Sequence, residues 1–210
     1  MKARVALLCN LLALFSACDV GVNKTIYVED GETRRGGINS VNGGVIVGKD
    51  CTLMGSSRTV NGRIEIGAGS RVEDLMSVNG SIDVDENVEV SGDVETVNGN
   101  ISCAAGVEID GKVQSINGRL RLSGATVHRE LKTINGDITL EKQTTVKGDV
   151  VIEGRRRGQS EKWNQISIRV VNSVVEGDII VEDEDANVRV YLSEGGKVLG
   201  KIEKAEIVEE

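Results

Sequence analysis

Along the chain, residues that are mostly apolar recur in pairs, and one residue separates the two members of each pair. In the middle of the sequence these pairs begin six or seven residues apart: Ile82/Val84, Val88/Val90, Val94/Thr96, Ile101/Cys103 and Val107/Ile109. An alternation with a period of two is typical of a short β-strand that buries one face. The pattern therefore predicts a series of short strands, three of which make up each larger repeat.

A tetrapeptide, Ser/Thr-Val/Ile-Asn-Gly, recurs with the period of that larger repeat. It occurs six times at a nearly constant interval, with its asparagines at Asn42, Asn61, Asn79, Asn98, Asn117 and Asn135. A fixed short period of this kind indicates stacked structural repeats. We predict an all-β fold, a single-stranded parallel β-helix (β-solenoid) with three short strands per 18–19-residue coil and with Asn-Gly at one corner.

The corner residues suit a sharp bend. Asn and Gly tolerate the left-handed backbone region, and stacked asparagine amides can hydrogen-bond to one another along a ladder. We therefore predict that the six asparagines form a structural ladder, in which Asn42, near the end of the row, has a single neighbour. The alternative is a ligand site built from the row of amides.

A second corner has the sequence Val/Ile-x-Gly-Asp/Lys-Val/Ile. It occurs five times, with its glycines at Gly92, Gly111, Gly148, Gly177 and Gly200. The last two lie beyond the final Asn-Gly and extend the repeat almost to the C-terminus. The predicted solenoid domain covers residues 26–210 and forms a rod of about nine or ten coils, roughly 45 Å long at about 4.8 Å per coil.

The N-terminus has the layout of a secretory signal. Lys2 and Arg4 precede the apolar run 5–15, which is too short to span a membrane as a helix. Residues 14–18, Leu-Phe-Ser-Ala-Cys, resemble a bacterial lipobox, which implies a signal peptide over 1–17, lipidation of Cys18 and a lipidated tether over 18–25. An ordinary signal peptide is the alternative. The expected location is the cell envelope, on the periplasmic side of the inner or outer membrane.

The net charge of the chain limits the classes of molecule that it can bind. Without the signal peptide the chain has 23 basic and 33 acidic residues, which gives a net charge of about −10. Such a surface disfavours nucleic acid, whose phosphates require basic contacts.

Cys51 and Cys103 fall on inward positions about three coils apart, too far for a disulfide, so we expect free, buried thiols. We predict neither a metal site nor a cofactor.

One segment breaks the regular pattern, an insertion over residues 153–165 at the Asn-Gly corner. It contains Arg155, Arg156, Arg157, Lys162 and Trp163 on an otherwise acidic chain. Exposed Arg and Trp often anchor recognition sites, so these five residues are candidate contacts for an envelope protein or a polysaccharide. The alternative is a solvated loop in which Trp163 covers the edge of a coil.

Enzymatic function is the less favoured interpretation. Parallel β-helix enzymes that cleave acidic polysaccharides build clefts from long loops, whereas the corners here are short apart from the insertion. The single histidine, His128, stands beside no serine or cysteine set that would indicate a nucleophile. We therefore assign no catalytic residues.

Together, the Ser/Thr-Val/Ile-Asn-Gly elements and the Gly-Asp/Lys-Val/Ile corners resemble those of bactofilins and related adhesin-like β-helix lipoproteins. Bactofilins are polymer-forming bacterial cytoskeletal proteins, and the resemblance implies a right-handed coil and end-to-end assembly. The lipobox differs from that family. We predict a non-enzymatic envelope lipoprotein, anchored to a membrane by its lipid, that acts as a structural scaffold or adhesin-like binding module. The alternative is a self-associating, bactofilin-like polymer element. A polysaccharide-active β-helix enzyme is the third and least favoured interpretation.

Overall fold

The protein is built from short β-strands alone in the part that the structure describes. The computed structural model describes residues 19–154, 165–183 and 185–209. In chain order the strands of the N-terminal half are β1 (Asp19–Val22), β2 (Ile26–Val28), β3 (Thr33–Arg35), β4 (Ile38–Val41), β5 (Val45–Val47), β6 (Thr52–Met54), β7 (Ser57–Thr59), β8 (Ile64–Ile66), β9 (Arg71–Val72), β10 (Leu75–Ser77), β11 (Ile82–Val84), β12 (Glu89–Val90), β13 (Val94–Asn98), β14 (Ile101–Cys103) and β15 (Glu108–Ile109). Those of the C-terminal half are β16 (Val113–Asn117), β17 (Leu120–Ser123), β18 (Thr126–Val127), β19 (Leu131–Asn135), β20 (Ile138–Glu141), β21 (Thr145–Val146), β22 (Val150–Ile152), β23 (Ile166–Val171), β24 (Val174–Val175), β25 (Ile179–Val181), β26 (Val188–Ser193), β27 (Lys197–Val198), β28 (Ile202–Glu203) and β29 (Glu206–Glu209).

Every third strand belongs to the same sheet. The first sheet runs from β1 through β4 and β7 to β28, the second from β2 to β29, and the third from β3 to β27, with 10, 10 and 9 strands. Neighbouring strands are parallel, as in the pairing of β11 with β14. The chain therefore winds as a three-sided β-solenoid of about 9 turns, which confirms the predicted fold class.

The register follows the sequence period. Ile82 pairs with Ile101 in the next coil and with Ile64 in the preceding one, so the coil that ends at Ile82 is one residue shorter than the coil that begins there. In that shorter coil the missing residue lies between β9 and β10. In the other short coil, where Leu120 pairs with Ile138, it lies between β17 and β18. Deletions at these corners leave the Asn-Gly corner intact and keep each apolar pair facing inward, because a slip within a strand would turn its side chains outward.

The interior is a stack of aliphatic side chains. Ile82, Ile101, Leu120 and Ile138 occupy equivalent positions in successive coils, and all four are fully buried. Their side chains repeat in rows along the axis and form one continuous core. Burial of this apolar surface, worth about 25 cal/mol per Å², is the main force that stabilises the stack.

Strand pairing begins earlier than the sequence predicted. Strand β1 pairs in register with β4 from Asp19 onward, ahead of residue 26, where the solenoid was expected to start and within the segment 18–25 assigned to a tether. Gly21 of β1 occupies the inward position opposite Ser40. Because glycine has no side chain there, the strand lacks the inward apolar pair by which the others were found.

Two longer connections share one corner. The predicted insertion lies between β22 and β23, and residues 155–164 lie outside the described residues. A second connection, residues 182–187, joins β25 to β26 at the same corner one coil later and was not predicted from the sequence. Both replace Asn-Gly in coils that lack the tetrapeptide.

Candidate functional site

The corner between the first and second sheets contains the repeated tetrapeptide, and each of its four positions forms a row along the rod. We call it the Asn-Gly corner. The first position, Ser or Thr, faces inward and is buried. In five of the six coils its hydroxyl donates to a backbone carbonyl oxygen one coil earlier, as in Thr59 to Gly43 (2.7 Å) and Thr96 to Gly80 (3.0 Å), whereas Oγ1 of Thr133 has no hydrogen-bond partner among the described residues. The same bond joins Ser40 to Lys24, Ser77 to Gly62 and Ser115 to Gly99.

The asparagines are hydrogen-bonded to one another along the rod. Nδ2 of Asn98 donates to Oδ1 of Asn79, and Nδ2 of Asn117 to Oδ1 of Asn98, both at 2.9 Å. The same bond joins Asn42 to Asn23, Asn61 to Asn42 and Asn79 to Asn61, and Asn135 pairs with Asn117 in the strand register. The row thus begins at Asn23, which lies outside the tetrapeptide pattern, and Asn42 has a neighbour on each side.

The glycines of this corner are required for space. A Cβ atom on Gly99 would overlap the carbonyl oxygen of Gly80, because the backbones of successive coils touch there. The same overlap would occur at Gly62, Gly80, Gly118 and Gly136.

The expectation of a left-handed backbone at every Asn-Gly corner is wrong. Among the described residues of this corner only Asn23, Asn42 and Lys204 have positive φ, at 56°, 57° and 57°. Left-handed residues lie mainly between the second and third sheets, for example Asp50, Asn87 and Gly106. In the middle coils, by contrast, the strands of the first sheet continue through the asparagine, as β13 does at Asn98.

The second position of the tetrapeptide, Val or Ile, points outward. Val41, Val60 and Val78 are exposed by 39%, 40% and 37%. Val22 of β1 pairs with Val41 and begins this row, which continues through Val97, Ile116 and Ile134. No role for these β-branched residues was predicted from the sequence. Their invariably apolar character at an outward position is the one feature of the tetrapeptide that coil stacking does not require.

The Gly-Asp/Lys corner, between the third and first sheets, uses a different contact. The backbone N–H of Asp93 donates to Oδ1 of Asp74 (3.0 Å), and that of Lys112 donates to Oδ1 of Asp93 (3.0 Å). Asp149 and Asp178 accept in the same way from the next coil. The carboxylate of one coil therefore binds the backbone of the next.

No protein-family model, no curated protein and no solved structure matches this chain. Its relationships thus rest on its own motifs and geometry. No helix of the described residues is long and apolar enough to cross a bilayer.

The predicted lipidation site and partner contacts fall outside the described residues. Cys18 directly precedes β1, and Arg155, Arg156, Arg157, Lys162 and Trp163 lie between β22 and β23. Their roles remain predictions. Within the described ranges, no group of three or more His, Cys, Asp or Glu residues is arranged to hold a metal ion.

Both remaining cysteines are free and buried, as predicted, but they differ in their contacts. The Cys51 thiol donates to the carbonyl oxygen of Glu29 (3.0 Å), as the hydroxyl of Ser70, its neighbour in the next coil, does to Gly48 (3.1 Å). For Cys103, burial and secondarily the nearby Asp83 carboxylate raise the pKa to about 12. Cys51 thus takes the place of a serine, whereas Cys103 is part of the aliphatic core.

Several charged residues on the outer faces form ion pairs with the neighbouring coil. Nζ of Lys112 lies 2.7 Å from Oε1 of Glu95, and this hydrogen bond raises the pKa of Lys112. Nε of Arg71 lies 2.8 Å from Oε2 of Glu89. Such exposed pairs contribute about 0–1 kcal/mol each, so they define the surface charge more than the stability. His128, half-buried, accepts from Nζ of Lys147 at 3.4 Å.

Proposed function

We propose that this protein is a cell-envelope lipoprotein whose solenoid is a non-enzymatic structural scaffold, anchored to a membrane by a lipid on Cys18. The observation that supports a structural role is the use of the tetrapeptide. Its hydroxyl, amide and glycine positions all contact the neighbouring coil. The residues that repeat most strongly in the sequence are thus explained by the rod itself.

The lipid anchor is tested by the variant Cys18→Ser. We expect this variant to move from the membrane fraction to the soluble fraction, because the acyl chains supply most of the attachment at about 0.8 kcal/mol per buried methylene. The matched control is Cys51→Ser, which preserves a donor to Glu29 and should stay with the membrane. A Cys18→Ser protein that still sediments with membranes would contradict the anchor.

Self-association is the second candidate, and the ends of the rod favour it. Strands β27, β28 and β29 pair on one edge only within the described residues. Ile202 and Ile207 of this last coil face inward, opposite Ile179 and Val190, and Ile207 is 51% exposed. An apolar end with unpaired strand edges can bind a second copy, as in a bactofilin-like polymer.

Acidic residues of the last coil lie around this end. The structure places Glu203 opposite Ile180 and Glu206 opposite Arg189, both at outward positions. Oε2 of Glu206 accepts from Nε of Arg189 at 2.6 Å. The charges therefore surround the apolar end without covering it.

Electron microscopy and sizing of the soluble Cys18→Ser protein distinguish the two candidates. A scaffold of single rods gives particles about 45 Å long with the mass of one chain. Filaments that lengthen with concentration would favour the polymer. An adhesin-like module remains a variant of the first candidate, with the exposed Val/Ile row available to an envelope protein or polysaccharide.

A further inference from the structure

The first coil of the solenoid begins directly at the proposed lipidation site. Strand β1 starts at Asp19 and pairs with β4 over its whole length. One residue spans at most about 3.6 Å, so no flexible spacer separates a lipid on Cys18 from the folded rod. A chain anchored at Cys18 therefore places its first coil at the membrane surface.

The same coil exposes more apolar surface than its equivalents farther along the rod. Val22 is 65% exposed, whereas Val41 and Val60, at the same position in the next two coils, are 39% and 40% exposed. Val20 and Tyr27 of the first coil are 71% and 59% exposed. Tyrosine is enriched at membrane interfaces because its ring is apolar and its hydroxyl polar.

A hollow lies beside these residues. It has a volume of about 290 Å³ and is lined by Val20, Gly21, Lys24, Ile26 and Tyr27 among others. The hollow lies where Gly21 occupies the inward position that Ser40, Thr59 and Ser77 fill in the next three coils. The exposed Lys24 ammonium at its rim suits a lipid phosphate.

The charges of the first coil do not favour attraction to an anionic surface. Glu29 and Asp30 are exposed at the next corner, and Glu32 is paired with Arg34 at 2.8 Å. Contact with a membrane must therefore depend on the apolar residues, and it should be insensitive to salt.

We propose that the first coil, through Val20, Val22 and Tyr27, rests on the phospholipid surface that holds the Cys18 lipid, with the rod rising from the membrane. This inference rests on the proposed lipid anchor. The N-terminal end is then covered by lipid, which leaves the C-terminal end as the free end of the rod.

The experiment uses the lipidated protein in phosphatidylcholine vesicles that contain a lipid with a nitroxide at its headgroup. A fluorophore is attached at Val22→Cys or, as the matched control, at Val78→Cys, which occupies the same position three coils away, roughly 14 Å farther along the rod. Cys51 and Cys103 are buried, so they do not compete for the label.

We expect strong quenching of the label at residue 22 and little quenching at residue 78, at low and high salt alike. Equal quenching at both positions would overturn the proposal, because the rod would then lie on its side. Absence of quenching at both positions in protein that floats with the vesicles would also overturn it while leaving the anchor intact. Failure to float would instead contradict the lipid anchor itself, and the docking with it.

Discussion

Gly99 and Gly92, at two different corners of the solenoid, must be glycines for different physical reasons. At the Asn-Gly corner, Gly99 has no room for a Cβ because the backbone carbonyl of Gly80 lies against it. At the Gly-Asp/Lys corner, the atom nearest to a Cβ on Gly92 is the carboxylate oxygen Oδ1 of Asp74, and the nearest backbone atom is 3.0 Å away. Gly99 thus packs against backbone, whereas Gly92 packs first against a side chain.

The difference shows what each position tolerates. A contact between backbones is fixed by the coil spacing, so no substitution of a neighbour can relieve it. A contact with the Asp74 side chain exists because that carboxylate accepts hydrogen bonds from Asp93 N–H and from the Ser56 hydroxyl (2.9 Å). Removal of the carboxylate should therefore free space at Gly92 but not at Gly99.

The largest effect is expected at the backbone contact. Gly99→Ala should lower the free energy of unfolding by about 3 kcal/mol, because the added methyl forces two coils apart inside a close-packed stack. Denaturant unfolding of the variant measures this loss. A change below about 0.5 kcal/mol, which is the usual range for surface substitutions, would show that the coils do not touch there.

A smaller and relievable effect is expected at the other corner. Gly92→Ala should cost about 2 kcal/mol in the native background and less than half of that in an Asp74→Ala background. The control is Gly99→Ala in the same Asp74→Ala background, where its cost should be unchanged. Equal costs of Gly92→Ala with and without the Asp74 carboxylate would contradict the distinction between the two glycines.

The smallest effect of the three sites is expected at Asn98 in the asparagine row, whose amides are exposed. Asn98→Ala should cost about 1 kcal/mol, because the amides of Asn79 and Asn117 each lose a partner. Asn42→Ala should cost about 1 kcal/mol more, because alanine is strained at the positive φ of residue 42. This order reverses the one expected if Asn42 had a single neighbour.

Asn42→Gly separates the two causes in the row. Glycine adopts positive φ freely, so this variant should lose only the ladder bonds and match Asn98→Ala. Thermal or denaturant unfolding measures all three variants. Stability that is unchanged in all of them, together with loss of a binding activity, would favour the ligand-site alternative.

The strands and most of the core were predictable because their signal is local. Ile82 and Val84 enclose one polar residue, and the 18–19-residue period places each such pair above the next. The free, buried state of Cys103 followed from the same alternation. Inward positions with polar or small residues gave no such signal, which is why β1, with Gly21 facing inward, was missed.

Contacts between coils were less predictable from the sequence. The two residues of such a contact lie one period apart in the chain and are of different types, so no repeated pattern connects them. Asp74 precedes Gly92 by one period, and only the fold shows that the carboxylate of one meets the backbone of the other. The sequence did contain one signal for this contact: most glycines of the Gly-Asp/Lys corner have an aspartate in the preceding coil. Five of the six inward Ser/Thr hydroxyls of the tetrapeptide could likewise have been assigned partners, since most buried hydroxyls are hydrogen-bonded.

The claim that the tetrapeptides stack in register, one coil apart, is tested most directly by cross-linking. In the parallel register, Asn98 pairs with Asn117, and adjacent parallel strands lie about 4.8 Å apart, within the range that a disulfide spans. We predict that the double variant Asn98→Cys/Asn117→Cys forms a disulfide under oxidising conditions. Asn79→Cys/Asn117→Cys, two coils apart, should remain reduced. Cross-linking of the second pair as readily as the first, or of neither, would contradict the stack.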